Sequence, residues 1–325
     1  VGSEMCIRDR HYEYMKDEAI KHIISRCNLN EIVDILSDKL SGSELNSLLL
    51  EVFDRRTTKE TPSSLLSKYS KNKLAKPAQL DFLEFKEEEL ECCKIIANNN
   101  YELIELSPVA QLGTSSVMAT VNQKKVLTAL RNTEVQSDPT NAIALHYASL
   151  KKSNELSEKT YNFGNVSRVI RTQVFSNPNF TPHFPLLCLI SCGMDTGSFE
   201  FERTELHKHL AITQKVCKEV FGFENIFFEI IPCKGYDEKS QLVSDTFFYT
   251  KNSGLDIRIA NSDSHNNYYY GIRIKAKIII DGVEHEIGDG GLLNWTQNLL
   301  ANKKERMLTM GIGIQLLHLF KKQKC

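Results

Sequence analysis

The sequence predicts an α+β protein: an antiparallel sheet of six or seven strands flanked by helices, with a helical N-terminal region before it. Three observations carry this reading. Residues 166–171 (VSRVIR) and 186–192 (LLCLISC) form two strand-like runs joined by a long polar loop. Ile272, Ile274, Ala276 and Ile278 alternate with Arg273, Lys275 and Lys277, the period of a half-exposed strand, and Asp281-Gly282 supplies a hairpin turn into Val283–Ile287. Between these runs Leu206, Leu210, Thr213, Cys217 and Val220 recur at helical spacing, and Gly222 closes the helix. Strands joined by hairpins, not by regular helical crossovers, exclude a doubly wound parallel sheet.

Residues 1–10 (VGSEMCIRDR) resemble translated sequencing-adapter read-through and are expected to be foreign to the protein. Residues 11–76 read as helices with no chemical motif, either an appendage or a partner-binding module. Ile32, Ile35, Leu36 and Leu40 share a face. Ser43 is placed to cap a helix over 44–56, and Pro62 to open another. Lys76-Pro77 marks the boundary of the core, residues 77–325. There Asp81 starts an amphipathic helix to Asn98 whose first half is acidic, as the helix dipole favours. A short strand over 101–106 runs into Ser107-Pro108. Asp138 or Thr140 caps a helix from about Asn141. Asn225–Pro232 reads as a strand. Gly288-Asp289-Gly290-Gly291 reads as a glycine-rich turn before a helix through Trp295. Met310–Ile314 reads as a strand, and a final helix runs from Gln315.

Composition bounds the function. The 325 residues, 41% hydrophobic, suffice for one large core or two domains. The net charge of −1 gives no global signature of nucleic-acid binding, and the basic C-terminal residues (Lys303, Lys304, Arg306, Lys321, Lys322, Lys324) fit a solvated helix face. Nine cysteines form no Cys-x-x-Cys pair, and Cys188 and Cys192 share one strand face as core packing would place them. An odd count without a signal peptide predicts a reducing cytoplasm, and no apolar run approaches the length of a membrane span.

Several residues suit a ligand site. Arg171 ends the first strand of the long hairpin, where it binds an anion or pairs with Glu200 or Asp195. His183, in the loop, contacts phosphate or fixes backbone. Arg131, Glu134, Asp138, Thr140 and Asn141 form either a ligand rim or a network of caps and turns. Asp289 meets a ligand amine or serves a turn. His207 and His209 are expected on the exposed side of their helix. Asp263, Ser264 and His265 allow a catalytic triad on paper, but nothing indicates a nucleophile elbow.

From about Asp81 to the C-terminus, the order of elements and several motifs resemble a class II aminoacyl-tRNA synthetase catalytic core, nearest the histidyl type. The helix, the 101–106 strand and Pro108 resemble its first motif, which builds the dimer interface. Asp138-Pro139-Thr140 resembles the histidyl-type segment near the bound amino acid. Ile170-Arg171-Thr172-Gln173 and His183–Leu187 resemble the second motif and its loop, and Gly311-Ile312-Gly313-Ile314-Gln315-Leu316 the third. The resemblance implies a homodimer, with ATP (and magnesium with it) and an amino acid condensing to an adenylate. Arg171 would neutralise the α-phosphate, and Gly290, Gly291, Gly311 and Gly313 would let backbone approach the ligand. Gln173 stands for the motif-2 glutamate, Leu187 for the adenine-stacking aromatic, Gln315 for an acid and Leu316 for the motif-3 arginine. The chain stops soon after the third motif, so no anticodon-binding region is expected. The expected function is binding of a small amino-acid or adenylate-like ligand, with tRNA charging unlikely. The alternatives are an ATP-dependent amino-acid ligase with a non-tRNA acceptor, and a regulatory subunit working with an enzyme partner.

Overall fold

The computed structural model describes residues 18–157, 159–172, 181–262 and 266–324. It divides into two compact units: one runs to Pro62 and includes Leu130–Asn132, and the other holds Ser63–Ala129 and Thr133–Cys325.

The first unit is helical: α1 (18–27), α2 (Ile32–Asp34) running on as a π-turn over Ile35–Lys39, and α3 (Gly42–Thr57). Ser41, not Ser43, caps α3. Its hydroxyl accepts from Glu44 N–H while the Glu44 carboxylate accepts from Ser41 N–H, so two orphan donors are satisfied at once. None of the residues in α2, the π-turn or α3 is buried. Asn46 accepts at Oδ1 from the backbone N–H of Arg131.

The second unit opens with α4 (Pro62–Lys71, its first residue on the boundary) and α5 (Phe82–Asn98). It then contains β1 (Glu102–Leu103), β2 (Val109–Gln111), β3 (Thr128–Ala129), β4 (Thr133–Val135), α6 (Pro139–Lys152), β5 (Tyr161–Ile170) and β6 (His183–Met194). There follow α7 (Glu200–Lys215), β7 (Ile226–Pro232), α8 (Lys239–Asn252), β8 (Ile257–Ile259), β9 (Ile272–Ile280), β10 (Val283–Leu293), α9 (Trp295–Leu300), β11 (Glu305–Ile312) and α10 (Ile314–Lys324).

The main sheet has eight strands in the order β1-β5-β6-β11-β10-β9-β7-β8, and a second sheet has three, β2-β4-β3. The expected six or seven antiparallel strands are therefore too few, and the sheet is mixed. Its centre is antiparallel as expected, but β1 pairs parallel to β5 and β8 parallel to β7. Both outer strands reach their neighbours through helical crossovers, α6 and α8, which parallel pairing requires. They are only two and three residues long, too short for a periodicity to register.

The long hairpin is present: β5 and β6 pair from Tyr161–Cys192 to Ile170–His183. Residues 173–180 at its tip, including Gln173, lie outside the described residues, as do Asp263, Ser264 and His265. Asp281 and Gly282 turn the β9–β10 hairpin with positive φ at both, the geometry that matches strand twist.

One expectation fails outright. Gly288–Gly291 is not a turn but the middle of β10, paired to β11 and β9 on either side. The sheet leaves no room there for side chains. A Cβ on Gly288 would lie 2.1 Å from Gly311 O, one on Gly290 2.3 Å from Thr309 O, and one on Gly291 2.3 Å from Ile272 O. Glycines that read as punctuation in sequence are here a packing requirement.

The two faces of the sheet are covered unequally. One face carries Leu187, Leu189, Leu308, Met310, Ile274 and Ala276, and the larger core forms there beneath α5, α7, α8 and α10. The other carries Phe163, Cys188, Ile190, Cys192 and Met307, sealed by α6 and α9 over the β5–β6–β11 end. Across β10, β9 and β7 that second face carries charge instead: Lys275 pairs with Glu286 (2.7 Å), and Lys277 with Glu229 (2.8 Å) and Glu284 (3.2 Å).

His209 corrects another expectation. It is fully buried, with Nε2 2.9 Å from the Ser191 hydroxyl, which also meets Asn162 Oδ1 and Glu205 Oε2. The helix is wrapped on more than one side, so its turn-by-turn pattern did not mark a solvent face. His207 is half-buried against Tyr249.

Two predictions follow from this packing. Gly290→Ala should lower the urea midpoint by about 1–3 kcal/mol of stability through overpacking, whereas Gly313→Ala, whose Cβ would meet nothing nearer than 3.6 Å, should cost under about 1 kcal/mol. Burial, with Lys208 nearby, drives the His209 imidazole down to about 3. The unfolded chain therefore binds the extra proton first. His209's contribution to stability is complete above roughly pH 6.5 and is lost as pH falls towards 3. Equilibrium unfolding should show a slope of up to about 1.4 kcal/mol per pH unit in that window, which His209→Gln flattens.

Candidate functional site

The strand register lays Cys188, Gly311 and Asp289 in one row across β6, β11 and β10, and Ile190, Thr309, Gly291 and Arg273 in the row beside it. Both rows lie on the half-covered face. The first of them crosses from the sealed end of that face to the charged end. The β5 residue in that row is Asn165, and Arg171 lies six residues further along, where the β5–β6 ladder continues one bond beyond Ile170: Arg171 N–H donates to Pro182 O at 2.8 Å.

Arg171 pairs with neither Glu200 nor Asp195. Glu200 is bound to Arg203 and Asp195 to Arg306. Arg171 Nε donates to Ser137 O over a long 3.4 Å, and the guanidinium lies 5.5 Å from the centroid of the Phe184 ring. Among the described residues no carboxylate lies within ion-pair distance of it. Its charge nevertheless reaches Asp289 and Cys188. A half-buried guanidinium whose fork faces no acid retains the capacity to take an anion.

Asp289 sits in β10 with its carboxylate 3.0 Å from Arg273 on β9 and about 40% of its side chain exposed. Crowding by the surrounding protein pushes its carboxyl above the usual range, while Arg273 and Arg171 pull it back. Asp138 does two jobs: Oδ1 caps α6 at Thr140 N–H (2.9 Å), and Oδ2 accepts from the Tyr268 hydroxyl (2.7 Å). Tyr268 and Tyr269 fill the space between the two aspartates, stacked edge-on at 4.8 Å, with Tyr268 against Trp295. Burial and then the nearby aspartates push both phenols well above their usual range.

The predicted rim divides. Glu134 is buried and accepts four hydrogen bonds, from Gly113 N–H, from the N–H and hydroxyl of Ser115, and from Gln123 Nε2. Burial raises its carboxyl, but these donors outweigh it and hold it below the usual range. The network reading thus accounts for every acceptor that Glu134 has. Thr140 is also buried, its hydroxyl 3.1 Å from that of Thr309, joining α6 to β11. Asn141 keeps an orphan: Oδ1 is buried with no partner. Arg131 belongs to the first unit. His183 is the first residue of β6, not a loop residue. Nε2 donates to Lys76 O at 2.6 Å, so Nδ1 is left to accept from Arg168 at 2.9 Å.

The glycines separate by the same test. Gly290 and Gly291 are spoken for by the neighbouring strands, whereas Cβ atoms on Gly311 and Gly313 would meet nothing closer than 3.6 Å. Gly311 therefore has no steric reason inside the protein, and it lies in the row between Cys188 and Asp289. Leu187 faces the sealed core on the opposite side and stacks on nothing here. The aromatic beside Arg171 is Phe184, three residues earlier and on the site's own face. Gln315 is buried with Oε1 unpartnered, and Nε2 is 3.5 Å from the Thr181 hydroxyl.

Sequence reading missed Phe184, Cys188, Tyr268, Tyr269, Arg273 and Thr309. Strand alternation could have placed Cys188 and Arg273 on this face, but the tyrosines come from a connector without periodicity. Two recesses of about 320 and 720 Å³ lie elsewhere on the surface, and neither is lined by Arg171 or Asp289.

No family model matches the sequence, and no curated protein matches it either. Solved structures do. The apo histidyl-tRNA synthetase of S. aureus is similar with a TM-score of 0.60 and 13% identity, over 78% of this chain and 70% of that one. An ATP phosphoribosyltransferase regulatory subunit/histidyl-tRNA synthetase from Bacillus halodurans scores 0.58 at 13% identity, over 75% and 82%. The histidyl-tRNA synthetase of Nostoc sp. PCC 7120 scores 0.55 at 14%, over 77% and 74%. Identities this low speak for fold alone. The chain shares the fold of these histidyl-tRNA synthetase structures.

Proposed function

We propose that the half-covered sheet face binds a small amino-acid or adenylate-like ligand, and that the protein does not charge tRNA by itself. The observation that carries this is Arg171: a guanidinium against the Phe184 ring, unmatched by any described carboxylate, whose charge reaches Cys188 and Asp289, the residues paired with Gly311 on either side. An anionic group would meet Arg171, a flat ring would lie on Phe184, and an amine would meet Asp289 beyond the glycine. Asp289 is already half-committed to Arg273, which weakens its hold on a ligand amine.

Turnover is less well provided for. Leu316 supplies no cation where the fold's third motif would place one, and losing one preorganised charge contact typically costs about 2.7–4 kcal/mol of barrier. Magnesium is a hard ion that prefers carboxylate oxygen. The residues standing for the two acidic positions, Gln173 and Gln315, are amides, so a metal arriving with ATP would rely on the phosphates. A ligase using a non-tRNA acceptor needs the same first step. Arg171 is the residue it would depend on.

A second reading, a regulatory subunit that binds ligand for an enzyme partner, is favoured by the similarity to the ATP phosphoribosyltransferase regulatory subunit/histidyl-tRNA synthetase of Bacillus halodurans. Self-association through the α5–β1 region fits its exposed apolar residues, Phe82 (65%), Leu83 (73%), Leu90 (55%) and Leu103 (42%).

Amino-acid-dependent ATP–pyrophosphate exchange decides between the readings. The ligand-binding reading expects an adenylate analogue to raise the melting temperature, with the shift lost in Arg171→Ala and Gly311→Ala while basal stability holds. Exchange above background with any of the twenty amino acids, abolished by Arg171→Ala, would transfer the case to the ligase, and aminoacylated tRNA product would defeat both. Light scattering should give a dimer mass that Leu83→Glu with Leu90→Glu reduces to monomer; an unchanged mass refutes that interface.

A further inference from the structure

The larger recess is built from parts the sheet-face site does not use. It lies where α9 leaves β10, has a volume of about 720 Å³, and is lined by Tyr236, Tyr270, Asn294, Gln297, Asn298 and Asn302 among others. That volume is within the range of small-molecule sites.

Its aromatic wall is held by two glycines. Gly235 (φ +122°) lies under the Tyr270 ring, where a Cβ would come within 2.2 Å of a ring carbon. Gly271 (φ +86°) lies under Tyr236, where a Cβ would come within 2.5 Å. Each tyrosine rests on the glycine beside the other, and the rings stand 5.4 Å apart. Only glycine tolerates both that φ and that contact. The lower end of the wall is fixed as well. Tyr236 and Arg306 both donate to Glu202 Oε1 at 2.8 Å, and Glu202 Oε2 is buried with no partner.

Carboxamides are prominent in the lining, and Asn302 among them is committed, Nδ2 to Met194 Sδ and Oδ1 to Lys304 N–H. Asn294 and Asn298 stand one turn apart on α9 and have no side-chain partner among the described residues. Gln297 uses Nε2 on Glu305 O and leaves Oε1 open. Arg306, by contrast, is spent: its donors go to Glu202, Asp195 and the carbonyls of Lys303 and Glu305. The recess also holds one exposed lysine, Lys303, and one exposed acid, Asp237. It offers flat rings with paired donors and acceptors.

We infer that this recess binds a nucleobase, an adenine-type ring lying on the tyrosine wall with its hydrogen-bonding edge read by Asn294 and Asn298. Carboxamides match the adjacent donor and acceptor of adenine, and unpaired bases stack on tyrosine. The site is separate from the sheet face and stands whether or not Arg171 binds an adenylate.

Titration calorimetry with adenosine tests it on the full chain. The wild type should bind. Asn294→Ala with Asn298→Ala, neither in the core, should weaken binding about tenfold at unchanged melting temperature. Repeated in a Gly311→Ala background, which obstructs a ligand on the sheet face, the asparagine pair should weaken adenosine binding by the same factor. Three results would overturn the assignment: no adenosine binding at millimolar concentration, loss of binding in Gly311→Ala with the asparagine pair immaterial, or glucose binding as tightly as adenosine.

Discussion

Unequal burial of the two sheet faces governs this protein. One face is closed by four helices over an unbroken layer of Leu, Ile, Met and Phe. At roughly 25 cal/mol per Å² of apolar surface removed from water, that layer carries most of the stability. The other face is closed only at its β5–β6–β11 end. Where α6 and α9 stop, side chains must be hydrated or paired, and the register there becomes Arg273–Asp289, Lys275–Glu286 and Lys277–Glu229. These pairs are part-buried, their side chains 18–42% exposed.

Arg171 and Gly311 take their meaning from that boundary. A guanidinium in the sealed layer would require an acid partner; one fully in water would be unremarkable in its freedom. At the edge Arg171 is half-buried, oriented by its backbone bond to Pro182 and by the Phe184 ring, and uncommitted at its fork. Gly311 shows the same logic by omission. Its neighbours in β10 are glycines because strands crowd them, but nothing crowds Gly311.

Much of the fold was legible in the sequence because its central strands announce themselves. The β5–β6 hairpin, the Ile272–Ile280 alternation and the Asp281-Gly282 turn each carry a local signature. The short parallel edges carry none, since they depend on helices returning the chain to a sheet edge. Gly288–Gly291 misled because a run of glycines means a turn in isolation and a crowded strand only once both neighbours are known. The candidate site was legible at Arg171, Asp138 and Asp289, whose residue types suit ligands. Glu134 and His183 have the same types but meet internal partners that no linear pattern reveals. Leu187 against Phe184 was a matter of face: strand alternation places them on opposite sides, and only the site's own side counts.

The central claim is that the half-covered face, not the sealed one, receives the ligand. Hydrogen–deuterium exchange with and without a non-hydrolysable aminoacyl-sulfamoyl adenosine measures it directly. The account predicts added protection at Arg171–Thr172, at Thr181–Phe184 and across Thr309–Gly313, with the strands under α7 and α8 unchanged. Protection confined to other segments, or none at saturating analogue, would contradict it.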